Sequence, residues 1–212
     1  MKKKVTIIDY GAGNILSVSR AFNECNASVD ITSDPKKIKD ASFLVLPGDG
    51  SFSYASQRLK KFGILKIIKS HFKKGNPLLG ICLGMQMLLS KSEEFGINEG
   101  LSIIKGRITR IKKQKKVYLK VPVIGWHPIK TKAEYYKNKF IKINKFDNKK
   151  FYFVHSFKAI VHNKNELLAY YKYGADNIAA IIGKDNVIGS QFHPEKSGQN
   201  GINLVKSFLK IN

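Results

Sequence analysis

The sequence predicts an α/β fold: a mostly parallel sheet with helices on both faces, plus an antiparallel β extension. Three observations carry this. Up to residue 90, short apolar runs alternate with stretches of helical period, the order that builds parallel sheets from βαβ units. From 101 to 173 the pattern changes to short β-rich pieces, glycine turns and lysine runs, with no long helix. Finally, the segments 47–50, around Cys82 and around His193 each follow a strand-like run, at the carboxyl ends where such sheets place ligands. At 212 residues and 23.9 kDa, one well-buried domain over 1–212 is expected.

Taken in order, residues 5–10 (VTIIDY) read as a short apolar strand, followed by Gly-Ala-Gly-Asn at 11–14 and a helix running through Arg20 and Phe22. The GAGN turn lacks the third glycine of a dinucleotide fingerprint, so it reads as a tight strand-to-helix turn. Residues 29–32 form a second strand, and Asp34-Pro35 is an N-cap with proline at the first helical position. Residues 43–46 (FLVL) are a third, buried strand ending in Pro-Gly-Asp-Gly at 47–50, whose glycines suit backbone amides turned toward an oxyanion. Helical period over 52–72 is interrupted at Gly63, giving two helices, and 73–77 (KKGNP) is a helix stop.

Residues 78–89 (LLGICLGMQMLL) organise the rest. An apolar strand breaks at Gly80-Ile81-Cys82-Leu83-Gly84 and resumes as a helix over 85–89. Glycines two positions either side of a nucleophile belong to a sharp strand-to-helix turn, where crowded backbones tolerate no Cβ and the central side chain projects into a cleft. At a helix N-terminus the dipole favours the anionic form of a thiol. A thiol nucleophile needs an imidazole within reach and an acceptor on that imidazole's second nitrogen. Residues 187–197 (VIGSQFHPEKS) supply both: a strand over 187–192, then His193, Pro194 and Glu195.

GICLGMQ, HPEKS and PGDG together resemble the class I (triad) glutamine amidotransferases. IDYGAGN at 8–14, Gly125-Trp126 and FYFVHS at 151–156 narrow the likeness to the glutaminase subunits of imidazole glycerol phosphate synthases, over essentially the whole chain. The resemblance implies a single flavodoxin-like class I glutaminase domain. It implies Cys82 as nucleophile, His193 as acid and base, and Glu195 as the group that orients it. It assigns the oxyanion and substrate contacts to Gly48, Asp49, Gly50, Leu83, Gln86, Glu94, Ser156 and Phe157. Asn14, Arg20, Trp126 and Lys196 would face a (β/α)₈ cyclase partner in a heterodimer, to which ammonia is channelled. No cofactor is implied. Without the resemblance, Gln86 reads as a solvated helix face and Glu94 as a surface charge at a helix end.

Two departures stand out. Asp49 replaces a small apolar family residue, and a carboxylate turned inward there would repel a developing oxyanion. Val123 and His127 replace polar residues near the expected ammonia exit. Val123 and Asp49 keep a second reading open, a paralogous glutaminase that supplies ammonia for amidination of a surface-polysaccharide or glycan sugar. A catalytically silent binding module is a third.

The 101–173 segment predicts strands at 103–111, 121–124, 151–154 and 167–173, with exposed loops at 112–116 and 135–150. His155 sits in strand context without an adjacent carboxylate and reads as packed. His71, His127 and His162 show no metal-ligand spacing, so no metal site is expected. The chain closes with a helix over 201–209.

The formal charge of +23 comes from 38 basic against 15 acidic residues, and arginine occurs only at positions 20, 58, 107 and 110. Readers of nucleic-acid grooves cluster arginine for bidentate contacts, so dispersed lysine reads as solvated surface and a nucleic-acid or membrane role is not expected. No apolar run approaches membrane-spanning length, and MKKK leads directly into a strand without a secretory signal. Two cysteines, Cys25 and Cys82, make no disulfide framework, and a cytoplasmic setting is expected.

Overall fold

The computed structural model describes residues 2–112, 119–132 and 142–210. Its first part runs β1 (Lys4–Ile8), α1 (Ile15–Glu24), β2 (Ser28–Thr32), α2 (Pro35–Lys39), β3 (Phe43–Leu46), α3 (Phe52–Lys61), α4 (Ile64–Lys73), β4 (Leu78–Ile81) and α5 (Leu83–Met87). The second part runs β5 (Lys91–Ser92), β6 (Asn98–Glu99), β7 (Gly106–Arg110), β8 (Val123–Pro128), β9 (Lys130–Thr131), β10 (Lys150–His155), β11 (Phe157–Val161), β12 (Leu167–Tyr173), β13 (Asp176–Lys184), β14 (Val187–Ser190) and α6 (Gly198–Phe208).

The main sheet has eight strands in the order β2-β1-β3-β4-β14-β13-β12-β9. From β2 to β14 every pairing is parallel, and from β14 outward every pairing is antiparallel. Because β3 and β4 are buried on both faces, their side chains alternate between two cores. Phe43, Val45, Leu79 and Ile81 face α1 and α6, packed with Val18, Phe22, Leu204 and Phe208. Leu44, Leu46 and Leu78 face the other layer, with Ile38, Phe52, Leu59, Ile68 and Leu83. A sheet covered on both faces is what the continuous apolar strands require.

Local signals behave as physical chemistry dictates. Asp34 caps α2, its Oδ1 accepting the Lys36 N–H at 2.8 Å. Gly63 separates α3 from α4 with φ 68°, a left-handed value cheap only for glycine. Residues 167–173 form β12 with the expected ends.

Other boundaries move. The strand expected at 103–111 shortens to β7, the one at 121–124 becomes β8, Val123–Pro128, and β14 stops at Ser190 rather than Phe192, although the Gln191 N–H continues the β13 register by donating to Ala180 O at 2.9 Å. The closing helix begins at Gly198 and the elbow helix at Leu83. Five strands had no counterpart in the reading of the sequence: the two-residue β5, β6 and β9, then β11, and the nine-residue β13, whose apolar run Ile178–Ile182 is buried. The expected loop at 112–116 lies, apart from residue 112, outside the described residues, as do residues 135–141 of the other. Within its remainder, Ile143–Phe146 forms a 3₁₀ turn that buries Ile143 and Phe146 in the core rather than an exposed loop.

Candidate active site

The carboxyl ends of β3, β4 and β14, adjacent in the sheet, bring the three motif loops together. At the end of β4, Cys82 has φ 53° and ψ −108°, a conformation that non-glycine residues hold only when the surroundings enforce it. Its neighbours do. The Cys82 N–H donates to Ser190 O at 2.8 Å, and the helix begins at once, with Gln86 N–H donating to Cys82 O at 3.1 Å. The flanking glycines are required by contact: a Cβ on Gly80 would lie 2.8 Å from the Gly84 carbonyl, and one on Gly84 would lie 1.8 Å from Leu46 O.

His193 follows β14 and is pinned from behind. Its N–H donates to Tyr152 O at 3.0 Å, and Ser197 Oγ donates to its carbonyl at 2.6 Å while accepting the Tyr152 N–H at 3.0 Å. The imidazole is almost fully buried, and its Nδ1 lies 2.7 Å from Glu195 Oε1. The carboxylate accepts, so Nδ1 carries the proton and Nε2 faces the thiol. Burial alone would depress the pKa of His193, but its interactions with Cys82 and Glu195 outweigh that and push it up to about 10. An imidazolium held beside a sulfur is the arrangement of a thiol nucleophile with its proton donor.

A cleft of about 370 Å³ opens on Cys82, lined among others by Asp49, Gly50, Leu83, Gln86, Glu94, Ser156 and Phe157. The readings of Gln86 as a solvated face and Glu94 as a surface charge do not hold, since both are buried. Glu94 Oε2 accepts the Phe52 N–H at 2.6 Å, at the start of α3. Gln86 Nε2 donates to Gln191 Oε1 at 3.1 Å. Gln191, not singled out from the sequence, is wholly buried and directs its Nε2 at Cys82 Sγ, 3.7 Å away. Its place two residues before His193 was the available signal. Ser197, the clamp behind His193, and Tyr10, whose hydroxyl donates to Pro47 O at 2.8 Å and steadies the 47–50 loop, were likewise missed.

His155 is structural. Its Nδ1 donates to Phe157 O at 2.7 Å, its Nε2 accepts from Tyr171 Oη at 2.8 Å, and burial lowers its pKa to about 4.

Two details of the 47–50 loop concern the oxyanion site. The Leu83 N–H donates to Gly48 O at 3.3 Å, so a carbonyl occupies a donor that an oxyanion would use. Asp49 turns its carboxylate inward, with Oδ1 3.6 Å from His193 Nε2.

The residues expected at a partner face are exposed on elements that neighbour one another. Asn14 caps α1 by accepting the Ser17 N–H at 3.3 Å, and both Asn14 and Arg20 are exposed. Helix α1 and strand β10 both pack on the 3₁₀ turn Pro194–Lys196, which carries exposed Lys196 at the rim of the cleft. Trp126 is 51% exposed, lying edge-on to Tyr152 across the β8–β10 pair, with exposed Ile124 beside it. Val123 and His127 have the opposite strand parity. Val123 is fully buried and His127 packs on Phe153, Tyr171 and Tyr173, so neither departure alters the outward face.

A thiol on a strained elbow, an imidazole backed by a carboxylate and a polar cleft define a class of cysteine-dependent acyl-transfer enzymes. The chain belongs to the class-I glutamine amidotransferase family, whose family model, Glutamine amidotransferase class-I, matches residues 6–211. It is 43% identical over 211 residues to the imidazole glycerol phosphate synthase subunit HisH 1 of Legionella pneumophila (strain Lens), covering 98% of this chain and 99% of that one. It is 41% identical over 208 residues to the imidazole glycerol phosphate synthase subunit HisH of Lactococcus lactis, covering 98% of each. Among solved structures, PurLQS from Thermotoga maritima superposes with a TM-score of 0.74 at 18% identity, over 99% of this chain and 98% of that one, a likeness of fold.

Proposed function

We propose that this chain is the glutaminase subunit of an imidazole glycerol phosphate synthase in histidine biosynthesis, releasing ammonia from glutamine for a cyclase partner. End-to-end identity of 43% to a protein of that name carries the assignment of the pathway. The Cys82–His193–Glu195 geometry supports the chemistry. With Val123 turned into the core, that residue no longer favours a sugar-amidinating paralogue.

In this reading the Cys82 thiolate attacks the carboxamide carbon of glutamine. The anionic oxygen is held by backbone amides of Leu83 and the 48–49 loop. His193 gives its proton to the departing ammonia, then takes one from the water that cleaves the γ-glutamyl thioester, while Glu195 holds its ring in place. Glu94 receives the substrate's α-ammonium group, and Gln86, Gly50, Ser156 and Phe157 shape the remainder of the cleft. Asn14, Arg20, Trp126 and Lys196 form the docking strip for a (β/α)₈ cyclase. Among the described residues no helix is long and apolar enough to cross a membrane; the reading places the heterodimer in the cytoplasm.

Glu94→Gln removes the charge from the ammonium contact. A charge-assisted hydrogen bond contributes about 1.5–3 kcal/mol, so KM for glutamine should rise roughly 10–100-fold with kcat changed far less. Steady-state kinetics check this, and an unchanged KM would reject the assignment.

The pathway is tested by glutamate release from glutamine, measured for the chain alone and with a histidine-pathway cyclase plus its ribonucleotide ligand. Because the Leu83 N–H is engaged by Gly48 O, slow turnover is expected from the chain alone. Docking that frees one oxyanion donor should raise kcat by on the order of 10²–10³-fold. Turnover indifferent to that cyclase would reject the pathway and keep the glutaminase.

A further inference from the structure

We propose that Asp49, Cys82 and His193 form a reversible zinc-binding site that switches the catalytic thiol off. The three side chains offer a thiolate, an imidazole and a carboxylate, the donor types that Zn²⁺ takes in four-coordinate sites. One donor atom from each lies within 4.8 Å of the other two. Zinc bonds of 2.0–2.3 Å in a tetrahedron put donors roughly 3.3–3.7 Å apart. Asp49 Oδ1 and His193 Nε2 already stand at 3.6 Å. The Asp49 side chain is 43% exposed on its loop, which leaves its carboxylate room to turn.

His193 supplies an independent indication. Its imidazole is 2% exposed, and Nε2 is buried without a hydrogen-bond partner. Its other nitrogen is held 2.7 Å from Glu195 Oε1. A carboxylate behind a histidine, with the second ring nitrogen turned to the ligand side, is the usual support for a zinc-bound imidazole. The fourth position faces the cleft, where a water or the carboxylate of a substrate can enter.

Metal binding forms S–Zn, N–Zn and O–Zn bonds and releases to solvent the one proton that the thiolate–imidazolium pair holds on His193 Nε2. The sulfur lone pair is then unavailable to a carboxamide carbon, so occupancy and hydrolysis exclude one another. Asp49 is what distinguishes this site from a bare cysteine–histidine pair, which offers zinc only two ligands. Sequence spacing gives no hint of it, because the ligands come from three loops separated by more than thirty residues each. The inhibition, though not the binding, rests on the glutaminase reading.

The test uses the full chain stripped of metal. Co²⁺ serves as the spectroscopic probe, and Zn²⁺ is titrated against it, with glutamate release followed in parallel. We expect one equivalent of Co²⁺ with a thiolate-to-cobalt charge-transfer band, displaced by Zn²⁺, and hydrolysis lost in proportion to zinc occupancy. Changing a residue that merely supports a ligand costs 10–100-fold in affinity, so Asp49→Asn, close to isosteric, should weaken Zn²⁺ by at least about tenfold. Cys82→Ser should lose the band. Alkylation of Cys82 should be slowed by Zn²⁺ in the parent but not in Asp49→Asn, and a cooperative thermal unfolding transition matching the parent's shows independently of turnover that the variant is folded. An Asp49→Asn affinity within about twofold of the parent, a band that survives Cys82→Ser, or absence of stoichiometric binding would each overturn the site. Binding that meets these tests in a chain that does not hydrolyse glutamine would leave the site standing and remove the glutaminase reading.

Discussion

Replacing Cys82 by alanine is expected to stop glutamine hydrolysis, and replacing it by glycine is expected to do so while making the protein more stable. The first half follows from the chemistry. No other nucleophile stands at the elbow, and loss of one member of such a triad costs on the order of 10⁴–10⁶-fold in kcat. Because the members act as one unit, Cys82→Ala combined with His193→Asn should lose little more than Cys82→Ala alone, a non-additivity that independent roles would not produce. The second half follows from the backbone. At φ 53° and ψ −108°, Cys82 holds a conformation that costs a residue with a Cβ about 1–3 kcal/mol. Glycine relieves that cost and deletes only a small side chain that lines the cleft. Thermal unfolding should show Cys82→Gly above the parent and Cys82→Ala close to it. A Cys82→Gly protein less stable than Cys82→Ala would show that the turn is not strained.

Gly84→Ala is expected to be the most damaging single-methyl change at the elbow. Its Cβ would sit 1.8 Å from Leu46 O and 2.8 Å from Leu46 C, and both are backbone atoms of β3. β3 is hydrogen-bonded on both sides, to β1 and β4, and cannot retreat without breaking a ladder. Overpacking a core usually costs about 1–3 kcal/mol because side chains can give way. Here none can, so a loss above about 3 kcal/mol, or failure to fold, is expected from chemical denaturation. Gly63→Ala is the comparison. It has a left-handed φ, 68°, which Gly84 does not, but nothing lies within 4 Å of its Cβ, so only the conformational cost of about 1–2 kcal/mol should appear. Equal losses at the two positions would mean that the elbow yields to a methyl group.

Much of this molecule is legible in its residue order because the signals are local. The elbow glycines, the Asp34 cap, the break at Gly63 and the alternation that dictates a parallel sheet each depend on a few neighbouring residues. The pairing of Cys82 with His193 was legible for another reason: chemistry requires a base for a thiol, and one His-Pro-Glu follows a strand. Where the signal was ambiguous, the reading failed. Strand β13 is an apolar run between turn residues that carries no alternation, because both its faces are covered.

Residue order by itself determined the sheet class and singled out Cys82, His193 and Glu195, which the fold brings together. Only the tertiary structure decided which way the polar groups around them point. Val123 and His127 face the core while Ile124 and Trp126 face outward, a matter of strand register in which a one-residue slip exchanges the faces. Gln191 meets Cys82, Gly48 O takes the Leu83 N–H, and Asp49 turns toward His193. Those orientations belong to strand ends and loops, where no periodicity constrains a side chain and contacts between residues distant in sequence choose among directions of similar local energy.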